Sequence, residues 1–117
     1  MDTQPGRRAE HAAAVVWLDR RHALVARARD GHAIVTEVER DADPEVRYLL
    51  RVVHEAADCD RVVIMGPDAV RIDFEREYVT LYRRPDRLID VGLAFQPGRQ
   101  ELIEQLELIE PANARPR

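Results

Sequence analysis

Four carboxylates, Asp19, Glu45, Glu55 and Asp68, are the side chains of this 117-residue chain best suited by type and position to hydrolytic chemistry. Carboxylates brought to one edge of a sheet can hold two divalent metals that clamp the attacking and leaving oxygens of a phosphodiester. Asp19 ends one apolar run, Glu45 and Glu55 fall on the first helical pattern, and Asp68 follows a second apolar run. Each also has a plainer role. Asp19 opens a turn, Glu45 suits the positive end of a helix dipole, Glu55 faces solvent and Asp68 caps a helix. Trp17 and Leu18 leave Asp19 outside its strand, where a metal-binding first acid is poorly placed. The plainer roles are preferred. A divalent-metal nuclease using Asp19 and Asp68 stands as the alternative, and no catalytic residue, metal ligand or cofactor is assigned.

Other reactive types give less. His11, His22, His32 and His54 match no helical or hairpin metal pair, since His22 and His32 lie toward opposite ends of one expected hairpin. Cys59 stands between Asp58 and Asp60, and neighbouring carboxylates disfavour the thiolate a nucleophile needs, so a buried cysteine is expected. Gly66-Pro67-Asp68 has the position of a phosphate loop, but a single glycine, a proline without an N–H and an adjacent acid oppose anion binding. The chain has no lysine and no serine, which excludes a P-loop lysine, a Schiff-base lysine and a serine nucleophile. Its 18 basic residues are therefore all arginine. Two groups, Arg20-Arg21 and Arg83-Arg84 with Arg87, offer planar guanidinium groups suited to phosphate. Only Tyr82 accompanies them as an aromatic, so base stacking has little support. These five arginines are the candidate RNA or partner contacts.

The net charge of −4 gives no global attraction to nucleic acid or an anionic membrane. The length suits one domain, expected over residues 11–110 between a flexible leader, 1–10, and a flexible tail, 111–117. A lone cysteine agrees with a reducing cytoplasm, and no apolar run approaches the ~20 residues of a membrane span.

The elements that must position these residues follow from patterning. Ala12 to Leu18 is apolar almost throughout, as a central strand buried on both faces should be. Strands follow at His22 to Ala28 and His32 to Val38. A three-residue loop, Arg29-Asp30-Gly31, pairs Ala28 with His32 and Leu24 with Thr36. That register gathers Leu24, Ala26, Ala28, Ile34, Thr36 and Val38 on one face and leaves Val25, Arg27, Ala33, Val35, Glu37 and Glu39 on the other. A two-residue loop would put Glu37 among the apolar residues, which argues for the longer one. Asp43 as N-cap and Pro44 as first helical residue start a helix whose stripe is Val46, Leu49, Leu50, Val53 and Ala57, with Arg51 and Glu55 as a surface pair. Arg61 to Met65 reads as a strand. A helix from Ala69 to Tyr82 then carries Val70, Phe74, Tyr78 and Leu81 on one side, with Arg71 off it, and stops at Pro85. Leu88 to Val91 gives a last strand, and a closing helix carries Leu102, Ile103, Leu106 and Ile109. The fold class is α/β: a mixed five-stranded sheet, with a three-strand antiparallel meander followed by αβαβα in a ribonuclease-H-like topology.

Val15-Val16-Trp17-Leu18-Asp19-Arg20-Arg21-His22-Ala23-Leu24-Val25 resembles the opening hairpin of small bacterial relatives of the central domain of archaeal-eukaryotic class I release factors and Pelota. The strand-turn-helix from Arg61 through Gly66-Pro67 to Tyr82, leading into Leu88-Ile89-Asp90-Val91, is a second point of similarity. The resemblance covers about Ala12 to Ile109. It implies a fold of the translational-machinery group and a link to ribosome or tRNA. Release factors carry a Gly-Gly-Gln loop before the first helix, whereas this chain has Glu39-Arg40-Asp41-Ala42-Asp43 there, so peptide release is not expected. The expectation is a non-enzymatic, cytoplasmic accessory domain contacting ribosome, tRNA or a protein. An oligomerising structural domain, homodimeric through the outer face of the hairpin, is the second alternative.

Overall fold

Every residue of Ala13–Leu18, strand β1, is buried, which only a central strand covered on both faces achieves. A computed structural model describes residues 12–29, 31–92 and 95–109. In it β1 pairs antiparallel with β2, His22–Arg29, and parallel with β4, Arg61–Met65. β3, His32–Glu39, lies antiparallel outside β2, and β5, Leu88–Asp90, lies parallel outside β4. The sheet order is β3-β2-β1-β4-β5. Helix α1, Glu45–Glu55, joins β3 to β4, and α2, Asp68–Tyr82, with a 3-10 turn at Pro85–Arg87, joins β4 to β5. Helix α3, Arg99–Ile109, ends the described chain. The expected α/β class, the five-stranded mixed sheet and the meander followed by αβαβα are all present. The expected leader and tail lie outside the described residues.

Alternation along β1 sorts the core into two layers. Ala14, Val16 and Leu18 pack beneath α1 and α2 with Val25, Ile64, Phe74 and Tyr78. Ala13, Val15 and Trp17 pack beneath α3 with Leu24, Met65, Leu102 and Leu106. The stripe of α1 is rotated from the expected one: Tyr48, Leu49, Val52 and Val53 are buried, whereas Val46 is 51% and Leu50 37% exposed. Helix α1 lies near the sheet edge, where it covers β2 and β3 with one flank and leaves the other open. The helix starts at Glu45 with Pro44 as its cap residue, and Asp43, the expected cap, instead pairs with Arg51 at 3.3 Å. That contact replaces the expected Arg51–Glu55 pair. Leu81, placed with the core in sequence, is exposed near the end of α2.

Tyr48 is fully buried, and its hydroxyl donates to the Asp19 carbonyl oxygen at 2.8 Å. Burial, with Asp19 nearby, pushes that hydroxyl well above the ordinary tyrosine value. Stability from keeping it protonated is full below the unfolded value of about 10 and is lost as pH rises above it. Tyr48→Phe is expected to cost roughly 1–2 kcal/mol near neutral pH, for the carbonyl left without its donor. Urea unfolding from neutral to strongly alkaline pH checks this, because the variant's alkaline decline should be shallower.

The hairpin register differs from the expected one by one residue. Arg29 pairs with His32, Ala28 with Ala33 and Leu24 with Glu37, so two residues rather than three connect the strands. Gly31, at φ +81°, suits such a tight connection. The faces are therefore Val25 and Arg27 with Ile34, Thr36 and Val38 under α1, and Leu24, Ala26 and Ala28 with Ala33, Val35 and Glu37 on the α3 side. Glu37 does share a face with apolar residues. The cost is small because β3 is an edge strand and Glu37 is exposed, so its carboxylate stays in water. The expected single face of Val25, Val35 and Ala33, the basis for a homodimer contact, does not exist, since Val25 is buried beneath α1.

Candidate functional site

The parallel strands give the domain two ends. β1 and β4 finish together, with Trp17 opposite Met65, so the β1–β2 turn, the start of α1 and the start of α2 share the C-terminal end. At that turn the Asp19 carboxylate accepts from the backbone N–H groups of Arg21 and His22, at 2.8 and 2.9 Å. This short-range cap explains why aspartate stands there. Arg20 pairs with Glu45 at the start of α1 and lies 3.8 Å from Asp73 on α2. Arg40 donates to the carbonyls of Asp43 and Arg20 at 2.9 and 3.4 Å, tying the short β3–α1 link to the turn. Arg21 is exposed and has no ion pair among the described residues. Arg20, Arg21 and Arg40 border one shallow depression with Glu39, Asp41 and Asp43, a surface of mixed charge.

The second arginine group lies at the other end. Arg83 closes α2 in the left-handed conformation, φ +56°, and its side chain is exposed. Arg84 holds Asp86 in a two-pronged contact at 2.9 and 3.0 Å. That hydrogen-bonded contact lowers the Asp86 carboxyl and raises Arg84. Arg87 lies beside Tyr78, whose hydroxyl is pushed up by burial and drawn partly back by the guanidinium. Leu88 pairs with Val62 near the start of β4, so Arg83, Arg84 and Arg87 sit at the N-terminal end of the parallel strands. The structure thus separates the two arginine groups by the length of β4, about 15 Å at 3.3 Å per residue.

The carboxylates divide in the same way. Asp19, Glu45 and Asp68 lie at the C-terminal end, each engaged by a local donor, whereas Glu55 is at the far end of α1, its backbone carbonyl bound by Arg27. Among the described residues no three His, Cys, Asp or Glu side chains are grouped to hold a metal ion. His22 and His32 fall at opposite ends of the hairpin. The His22 ring leans on Trp17, centroids 5.4 Å apart, and its Nε2 lies 3.2 Å from Gln96 Oε1. Cys59 is buried as expected, its sulfur 3.9 Å from an Asp58 oxygen.

Sequence reasoning missed Arg71, the one charged residue buried among those described, 8% exposed. Its Nε donates to the Gly66 carbonyl at 2.7 Å, and its two terminal nitrogens pair with Asp68 and Asp90. One guanidinium therefore binds the β4–α2 turn, the first turn of α2 and the end of β5. The Asp68–Arg71 spacing of three was a visible signal, but the third partner, Asp90, comes from tertiary structure.

No protein-family model matches this sequence, and no curated protein matches it. Solved structures do match. Pelota of Archaeoglobus fulgidus superposes with a TM-score of 0.63 at 13% identity, over 92% of this chain and 34% of that one. An archaeal translation termination factor matches with a TM-score of 0.56 at 18% identity, over 90% of this chain and 37% of its own. Pelota of Thermoplasma acidophilum gives 0.59 at 17% identity, over 86% of this chain and 33% of its own. The likeness is one of fold, and the chain spans about a third of the length of those proteins. No helix among the described residues is long and apolar enough to cross a membrane.

Proposed function

We propose that the chain is a non-catalytic accessory domain of the translation-factor kind, contacting RNA of the ribosome or tRNA through the Arg20–Arg21 turn. The observation that carries this reading is the shared fold with Pelota and an archaeal translation termination factor over about nine-tenths of the chain. The sheet order, with β1, β4 and β5 parallel, supports a ribonuclease-H-like assignment within it. The β3–α1 link is five residues, Arg40 to Pro44, without glycine or glutamine, which supports a role other than peptide release. Arg21 carries most of the expected contact, because its guanidinium is exposed while that of Arg20 is held by Glu45.

Co-sedimentation with ribosomes at low and high salt is the test. Arg21→Ala is expected to lower low-salt binding roughly tenfold, for a lost charge-assisted contact of about 1.5 kcal/mol. Arg20→Ala should do less. Binding that is unchanged in the Arg20→Ala, Arg21→Ala double variant would remove this turn as the contact.

A further inference from the structure

We propose that the outer edge of β3 accepts an extended acidic segment of another protein as a sixth strand, its alternate side chains entering the groove beneath α1. An antiparallel ladder alternates residues that bond to the neighbour with residues whose N–H and C=O point away. In β3 the pairing of Arg29 with His32 closes the hairpin, and Arg40 N–H bonds the Arg21 carbonyl. The even-numbered residues therefore face β2, and Ala33, Val35, Glu37 and Glu39 point outward. Two side chains mark this directly: Arg99 donates to the Val35 carbonyl at 3.4 Å, and Arg51 donates to the Glu39 carbonyl. These guanidinium groups occupy acceptors that an added strand would use.

Beside this edge lies an open groove of about 520 Å³, lined by Thr36, Val38, Leu50, Arg47, Arg51 and His54. Its α1 wall is basic, formed by Arg47 and Arg51 with His54, and suits carboxylate side chains. Glu37 and Glu55 also line it, but Glu55 lies near the Arg27 guanidinium, and the side chains of Glu37 and Glu39 belong to the opposite face of β3. Arg47 has no ion pair among the described residues. An incoming strand with glutamates at alternate positions would turn all of them to the α1 side, toward Arg47 and Arg51, and its valines to the α3 side beside Ala33 and Val35, while its own N–H groups take the carbonyls that Arg51 and Arg99 now hold. A second copy fits less well: symmetric pairing of two β3 edges crowds the Glu37 and Glu39 carboxylates of both copies onto one face, a like-charge arrangement that destabilises a ladder. This edge is separate from the arginine turns, so its failure would leave the proposed RNA contact standing.

The test uses the full chain and a fluorescein-labelled, acetylated peptide of alternating valine and glutamate, with fluorescence polarisation and amide hydrogen exchange as readouts. In the protein alone, the amides of Val35, Glu37 and Glu39 should exchange fast, while those of Ile34, Thr36 and Val38 are protected. The peptide should bind saturably and slow the first set. A valine-arginine peptide, and a valine-glutamate peptide N-methylated on alternate amides, should each bind at least about tenfold more weakly, as should Arg47→Glu with the original peptide. Absent saturable binding, equal binding of the N-methylated peptide, or protection elsewhere would overturn the proposal. Slowing of the β3 amides with protein concentration alone would overturn it in favour of a second copy.

Discussion

Gly66→Ala is expected to leave little folded protein. Gly66 directly follows β4 at φ +133°, where L side chains are rarely found. A Cβ there would stand 2.1 Å from the Leu18 carbonyl oxygen and 3.2 Å from the Leu18 carbonyl carbon. Both are backbone atoms of the central strand, so no rotamer change relieves the contact. Relief requires β4 to move from β1 at its C-terminal end, or the β4–α2 turn to change conformation, and either disrupts both core layers. A cost above ~3 kcal/mol is expected for strain of this kind in a close-packed interior, a large part of the 5–15 kcal/mol by which domains are stable. Gly31→Ala is the matched control. Its φ of +81° is also unfavourable, but a Cβ there meets nothing within 4 Å, so only the backbone penalty of roughly 1–2 kcal/mol applies. Urea unfolding followed by circular dichroism separates them, and equal midpoints for the two variants would mean that β1 and the turn are not in close approach.

The second large effect is expected at Arg71. Arg71→Met keeps most of the buried stem but removes the donor to Gly66 and the partner of Asp68 and Asp90. Asp68 is 86% exposed and regains water readily, whereas Asp90 is less exposed and the Gly66 carbonyl lies in a buried turn. The loss is therefore dominated by the carbonyl and by Asp90, about 2–3 kcal/mol in total, below the range for a pair with both partners buried. Asp90→Asn should cost less than Arg71→Met, and Asp68→Asn least, within about 0.5 kcal/mol as for an exposed pair. Denaturant midpoints of the three variants give this order. If Asp68→Asn proved the most damaging, the guanidinium would be anchored mainly through the first turn of α2 and not through β5.

The element order was legible because local signals agreed with the tertiary result. The unbroken apolar run of β1, the Asp-Gly turn, the Asp43-Pro44-Glu45 start and the Gly66-Pro67 turn each mark a boundary that packing keeps. The hairpin register was not legible, because it depended on whether Glu37 could share a face with Leu24 and Val35. That question is decided by exposure at a sheet edge, which no local pattern contains. The same limit hid the true stripe of α1: Tyr48 and Val52 are buried because β1 and α2 lie on that side, while Val46 and Leu50 overhang the edge. At the candidate site, the arginine groups could be found by composition, but their separation follows from the parallel pairing of β4 with β1 and β5. Arg71 was invisible because a buried guanidinium is tolerable only once Asp90 and Gly66 are beside it.

With Arg20 and Arg21 at one end and Arg83, Arg84 and Arg87 at the other, the domain would be bivalent if both arginine groups served as the expected contacts. A ligand long enough to reach both ends gains its second contact as an intramolecular step, at an effective concentration set by the stiffness of whatever joins the two contacts. Its overall affinity can then exceed the affinity at either end by ~10²-fold or more. Two short ligands would instead fill the ends independently, with the sheet as a rigid spacer between them. The two cases differ in a measurable way: loss of either arginine group would lower the affinity for a long ligand to that of the remaining end, whereas for short ligands it would leave binding at the other end unchanged.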